Sequence, residues 1–281
     1  MSRAALTIAR RDFADAARSK LLWGVTAVLI VATLPAFNGL LGSQIIDDAA
    51  DAAAFVPMSF QFYVTPLAII VAYRSIVGER SSGSLRLLFG HPVTRRDFVL
   101  GKTFSRIALV VAVLLTATAA LTVAIVATYG ELPLLLLVVV AAYVAAYGAV
   151  MTTLTVGVSA AAETRLQSLT GMLGLFLVFG PFRLWHDLAI PAAALLFTGS
   201  TSPGISQLDP GTWPTWYLYV QRLNPMETFT MTHGFVAGLV NSTSGSVGDT
   251  TVQLFGLCVL LAWAVVPLML GFRRFDRADL N

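Results

Sequence analysis

The stretch of this chain nearest to a chemical motif is Gly78-Glu79-Arg80-Ser81-Ser82-Gly83-Ser84. Its two glycines have the spacing of a nucleotide phosphate loop, in which backbone N–H groups cradle phosphates and a following lysine reaches the terminal ones. Ser84 stands where that lysine is needed and no strand pattern precedes the loop, so the chain is not expected to hydrolyse ATP itself. The sequence has no Gly-x-Ser-x-Gly nucleophile elbow. His91, His186 and His233 are scattered, without a His-Glu-x-x-His pair. A single cysteine, Cys258, excludes a disulfide framework and a cysteine zinc site. No catalytic residue, metal or cofactor is therefore assigned. The expectation is a non-enzymatic protein whose energy, if it moves anything uphill, enters through a partner.

Composition identifies the elements that must position such a protein. Of 281 residues 57% are hydrophobic and 12% charged, about half the charged share of a soluble protein. Mean hydropathy is +0.78. That balance cannot cover a water-facing surface and is the reverse of a disordered chain, which leaves an integral membrane protein. A bilayer core of about 30 Å takes about 20 helical residues. Six runs free of Asp, Glu, Lys and Arg meet or approach this length: 21–41, 55–73, 107–130, 132–162, 166–182 and 250–272. The fourth is longer than a span needs and is expected to include loop. Period-two alternation is missing, which argues against a barrel. The expected fold is an all-α integral membrane protein, one transmembrane domain over residues 1–281 with six transmembrane helices.

Sixteen of the 18 Lys and Arg residues fall in the N-terminal segment, the loop after the second run, the loop after the fourth, and the C-terminal segment. Only Arg183 and Arg222 fall elsewhere, while the loop after the first run carries Asp47, Asp48 and Asp51. This asymmetry predicts a multi-pass protein with both termini cytoplasmic. It also accounts for the net charge of +3 without a nucleic-acid partner. The apolar core of 21–41 is longer than a signal-peptide h-region, so no cleavage is expected there. Residues 2–20 place Leu6, Ala9, Phe13, Ala16 and Ala17 on one helical face and Arg3, Arg10, Arg11 and Arg18 on another. This is an interfacial helix lying on anionic lipid. Residues 183–249 hold a short apolar stretch, several Pro and Gly breakers, and Trp213, Trp216, Tyr217 and Tyr219. That aromatic density reads as a re-entrant or interfacial element on the external side; an ordinary soluble loop is the alternative.

No Asp, Glu, Lys or Arg lies inside the six runs and no internal repeat stands out, which argues against an ion-coupled carrier. The most informative stretch is then the basic loop 78–102. Ser81 or Ser82 is expected to cap a short helix through Phe89, about nine residues or roughly 13 Å long. Gly90 and Pro92 end it, and Thr94 with Asp97 opens the next helix as a capping box. Leu85, Leu88 and Phe89 share one face of the short helix. An apolar knob on a rigid helix between two spans suits docking to another subunit, or packing on the membrane surface.

Within this loop Glu79-Arg80-x-x-Gly83-Ser84-Leu85-x-Leu87-Leu88, then Pro92-Val93-Thr94-Arg95, then Gly101-Lys102, resembles the signature loop of the ABC type-two (ABC-2) permeases. It is most similar to the branch that includes the nitrous-oxide-reductase maturation permease. Asn224-Pro225 and the ending Phe272-Arg273-Arg274-Phe275-x-Arg277-Ala278-Asp279-Leu280 resemble the same family. Ser84 in place of threonine, and Gly90-His91 in place of a small polar pair, depart from it. The resemblance implies a plasma-membrane permease, paired with itself or a related permease and bound to cytoplasmic ABC ATPase subunits. It implies a coupling helix between the second and third spans, with Glu79, Arg80, Gly83, Leu85, Leu88, Pro92 and Arg95 forming or shaping the ATPase contact. Export is the implied direction. The alternative is a membrane facilitator or metalloenzyme-assembly factor that works without an ATPase.

Overall fold

The structure, a computed structural model, describes residues 2–43, 46–82, 93–201, 212–241 and 249–278, and all its regular elements there are helical. An N-terminal helix α1 (Arg3–Ala17) is followed by α2 (Lys20–Asn38), α3 (Ala49–Phe55), a 3₁₀ turn (Val56–Phe60), α4 (Val64–Ala72) and α5 (Val77–Ser81). The long helices α6 (Arg95–Tyr129) and α7 (Leu134–Ala161) come next, then α8 (Arg165–Phe179). A π-helical turn (Trp185–Ala189) runs into α9 (Ile190–Thr198); α10 (Thr215–Arg222), α11 (Pro225–Gly238) and α12 (Thr250–Arg277) complete the described chain.

Four helices, α2, α6, α7 and α12, are long and apolar enough to cross a membrane. The second apolar run is not one straight rod: Ala49–Phe60 and Val64–Ser81 meet at a 48° bend. Pro66, which has no N–H to give a preceding turn, sits in the first turn of α4, where none is needed. Counting that bent pair as one span makes five. The fifth run yields only the 15 residues of α8, about 22 Å of helix. The fourth run differs from expectation in the other direction. Its non-helical part is confined to Leu132, Pro133 and Ala162 at the two ends; α7 is continuous for 28 residues between them. Thr152 and Thr155 return their hydroxyls to the carbonyls of Gly148 and Met151, at 2.7 Å each, so these polar groups are satisfied inside the helix.

α7 is the central pillar, packed along α12 and α6 and meeting α4, α8 and α11. Half of its most apolar window is buried, against 17% for α12 and 22% for α2. Those outer helices turn Val28, Val31, Leu261, Val265 and Leu270 outward, an apolar belt suited to lipid and unsuited to water. Close approach rests on small residues. A Cβ on Gly148 would collide with Leu114 of α6, and one on Gly157 would lie 2.5 Å from the Pro267 carbonyl oxygen of α12.

The described part of 183–249 is mostly helix, with its aromatics packed on one another. Trp216 stacks on Phe197 at 5.7 Å, and Trp213 meets Tyr217 edge-on at 5.3 Å. Asn224 N-caps α11 with Pro225 in its first turn.

Candidate functional site

The start of α6 is built as its sequence dictates. Thr94 Oγ1 accepts from the Asp97 N–H at 3.1 Å, and the Asp97 carboxylate accepts from the Thr94 N–H at 3.3 Å, closing the expected capping box. Ser2, which caps α1 by accepting from the Ala5 N–H, also donates its hydroxyl to Asp97. The caps of α1 and α6 are thereby stitched together. Hydrogen bonds from Ser2 and Thr94 hold the Asp97 carboxyl below its usual range.

One and two turns further along α6 lies a charged hub. Lys102 Nζ donates to Asp12 Oδ1 of α1 at 2.7 Å and to Glu79 Oε1 of α5 at 2.8 Å. Arg106 reaches the same Asp12 oxygen at 3.0 Å and the Val71 carbonyl at 3.2 Å. Ser105 Oγ donates to Asp12 Oδ2 at 2.7 Å. The Lys102 and Asp12 side chains are only 9% and 12% exposed. Burial raises the cost of a charged Asp12, but the Arg106 and Lys102 cations and the Lys102 and Ser105 hydrogen bonds outweigh it, holding the carboxyl below its usual range. The helices come this close because Gly101 faces α1: a Cβ there would lie 2.8 Å from the Ala5 carbonyl oxygen and from Ile8 Cβ.

The stem leading into the basic loop is tied on its other side as well. The N–H groups of Ile76 and Val77 both donate to Ser159 Oγ of α7 at 3.2 Å. Ser168 Oγ of α8 donates to the Tyr73 carbonyl at 2.7 Å, and Arg165 Nε donates to Ser81 Oγ at 2.9 Å. Where the chain returns, Arg95 Nη1 donates to the carbonyls of Phe275, Asp276 and Ala278 at 2.8, 2.8 and 3.0 Å. The guanidinium thus adds a donor to the last carbonyls of α12 and to that of its C-cap, Ala278. Phe275, fully buried, packs against Phe98 at 6.2 Å.

Of the residues assigned from sequence to ATPase coupling, Glu79 and Arg95 are turned into the bundle, onto Lys102 and α12 respectively. Arg80 is half-buried and lines a cleft of about 720 Å³ with Glu163, Arg273, Arg274 and Arg277. Gly83, Leu85, Leu88 and Pro92 lie outside the described residues, as does most of the short helix expected to end at Phe89. Ser81 is the last residue of α5 and Ser82 its C-cap, and the helix expected to follow them lies outside the described residues. Sequence reasoning passed over Asp12, Arg106 and Ser159. The signal for Asp12 was present: Ala5, Ile8, Ala9 and Asp12 form one stripe at helical spacing, a carboxylate continuing a row of small and apolar residues. The buried face of α1 is this stripe, while Leu6 remains 61% exposed.

Comparison with known proteins agrees with this architecture. The sequence profile of the ABC-2 family transporter proteins matches residues 6–280. A protein of Pseudomonas aeruginosa named "Probable ABC transporter permease protein NosY" is 27% identical over 281 residues, covering 96% of this chain and 97% of the relative. One of the same name from Stutzerimonas stutzeri is 29% identical over 293 residues, again covering 96% of this chain and 97% of the relative.

Proposed function

The chain belongs to the ABC-2 family of transporter proteins, and from that membership we propose that it is the membrane-embedded permease subunit of a transporter powered by ATP hydrolysed in a separate cytoplasmic ATPase. On this reading the basic end of the bundle and both termini are cytoplasmic, the fold counts six spans, and the bent pair and α8 are two of them. Two copies, or this chain and a related permease, line the path in the plasma membrane, with transport directed outward.

The observation that carries the reading is the way 78–102 is moored. Its described ends, at Glu79 on one side and at Arg95 and Lys102 on the other, are bonded to α1, α6 and α12. A partner pushing on residues 83–92 would therefore act on three helices at once. The docking helix carries Leu85 and Leu88 as its anchors, shaped by Gly83 and Pro92, with Arg80 at its stem; Glu79 and Arg95 hold the stem rather than touch the ATPase.

Co-expression with the partner ATPase and affinity purification test this. Leu85→Asp with Leu88→Asp puts two carboxylates into an apolar contact, and recovery of the ATPase should fall at least about ten-fold. Lys102→Met should keep the complex but uncouple ATP hydrolysis from transport. Full recovery of an active complex with the double substitution overturns the docking assignment.

A further inference from the structure

The end of the bundle opposite the hub holds a second constellation that coupling does not use. A chamber of about 450 Å³ lies between the turn after α8, the π-helical turn, α10 and the start of α11. Small-molecule sites run from about 300 to 1,000 Å³. Its charged lining groups are Glu227, in the first turn of α11, and Arg183, with His186 beside them. Trp185, Trp213 and Tyr217 supply aromatic wall.

Three observations show polar groups prepared for something else. Gln221, 5% exposed, lines the chamber; its Nε2 bonds the Tyr217 hydroxyl, while its buried Oε1 has no partner among the described residues. The Trp185 indole N–H is buried and equally unpartnered among them. The Glu227 carboxylate makes no hydrogen bond or ion pair among the described residues, and Arg183 and Arg222 act on it only at longer range. Unmet buried groups such as Gln221 Oε1 and the Trp185 N–H are costly, and a ligand is one way to satisfy them. The backbone adds its own sign. Arg183 is the one described non-glycine residue with a positive φ, 59°, and it leads directly into the π-helical turn. Both features concentrate at ligand sites.

We propose that this chamber binds a small zwitterion with an apolar body. Its ammonium group pairs with Glu227 and the Gln221 carbonyl, its acid group pairs with Arg183, and its body lies against Trp185 and Tyr217. Opposite charges on two walls favour a ligand bearing both partners over one bearing a single charge, which forgoes one of the two pairings. This goes beyond the transport reading and does not depend on it, because binding needs the chamber and not the ATPase.

The full chain in nanodiscs is titrated with phenylalanine, with phenethylamine (which lacks the acid group) and with 3-phenylpropionate (which lacks the ammonium), following tryptophan fluorescence and calorimetry. Phenylalanine should bind at least ten-fold more tightly than either half. Glu227→Gln should reduce phenylalanine to the affinity of 3-phenylpropionate, and Arg183→Gln to that of phenethylamine. Nanodiscs with and without phosphatidylethanolamine separate a free ligand from a lipid headgroup, since a headgroup occupant weakens phenylalanine binding by competition. The comparison on the unaltered chain stands even where a substitution prevents folding. Equal affinity for all three compounds, tighter binding of either half, or no binding of any overturns the proposal.

Discussion

Lys102 Nζ on α6 lies 2.7 Å from Asp12 Oδ1 on α1, joining residues ninety positions apart through side chains about nine-tenths buried. The same ammonium holds Glu79, so one lysine spans the N-terminal helix and the stem of the basic loop. A buried pair of this kind stabilises little net against an apolar replacement, but breaking it from one side is costly. Asp12→Ala is therefore expected to destabilise the detergent-solubilised protein by about 3–5 kcal/mol in chemical unfolding, leaving Lys102 and Arg106 without their shared carboxylate. Asp12→Ala combined with Lys102→Met should cost less than the sum of the two single changes. Additive losses would mean the pair is not coupled.

The acid limb of stability follows from the same carboxylate. Asp12 has a folded pKa below its ordinary value of 3.8, so its contribution is fully present above that value and is lost as pH falls through the folded pKa. Melting temperature measured from pH 6 down to about pH 3 should drop more steeply for the wild-type chain than for Asp12→Asn. Identical acid limbs would remove Asp12 from the account. Asp97, shifted in the same direction, contributes a second and separable part through Asp97→Asn.

Glycines sort into two classes that a melting series can distinguish. Gly101→Ala and Gly157→Ala each force a methyl into an opposing helix, against Ala5 and Ile8 in one case and the Pro267 backbone in the other. Losses of about 1–3 kcal/mol are expected, with α1 released in the first case and more open to trypsin at Arg10 and Arg11. Gly24→Ala and Gly174→Ala meet nothing within 4 Å and should be neutral or stabilising by up to about 1 kcal/mol.

Arg95→Ala removes the guanidinium from three carbonyls at the end of α12. A loss of about 1.5–3 kcal/mol is expected, with faster tryptic cleavage at Arg273 and Arg274. Arg95→Lys, a point charge without the planar fork, should restore only part of it. Unchanged cleavage with Arg95→Ala would show that Phe275 alone holds the end of α12.

Much of this molecule was legible in the residues themselves. Runs of apolar side chains can be satisfied only as helices in lipid, so the helical membrane fold followed from hydropathy alone. Thr94 and Asp97 announced the start of α6, because a capping box needs only neighbours three residues apart. Sequence also marked 78–102 as the stretch whose residues resemble a known docking loop. Where the apolar runs break was less legible: the fifth run was visibly short, but hydropathy does not record the bend at 61–63. Only the tertiary structure decided what Glu79, Arg95 and Lys102 touch. Asp12 was given no role from sequence, and it is the centre of the hub because Gly101 lets α1 settle against α6. Local pattern reports which groups dislike water; it takes the packing of distant helices to determine which charge meets which, since a carboxylate and an ammonium ninety residues apart share no local signal.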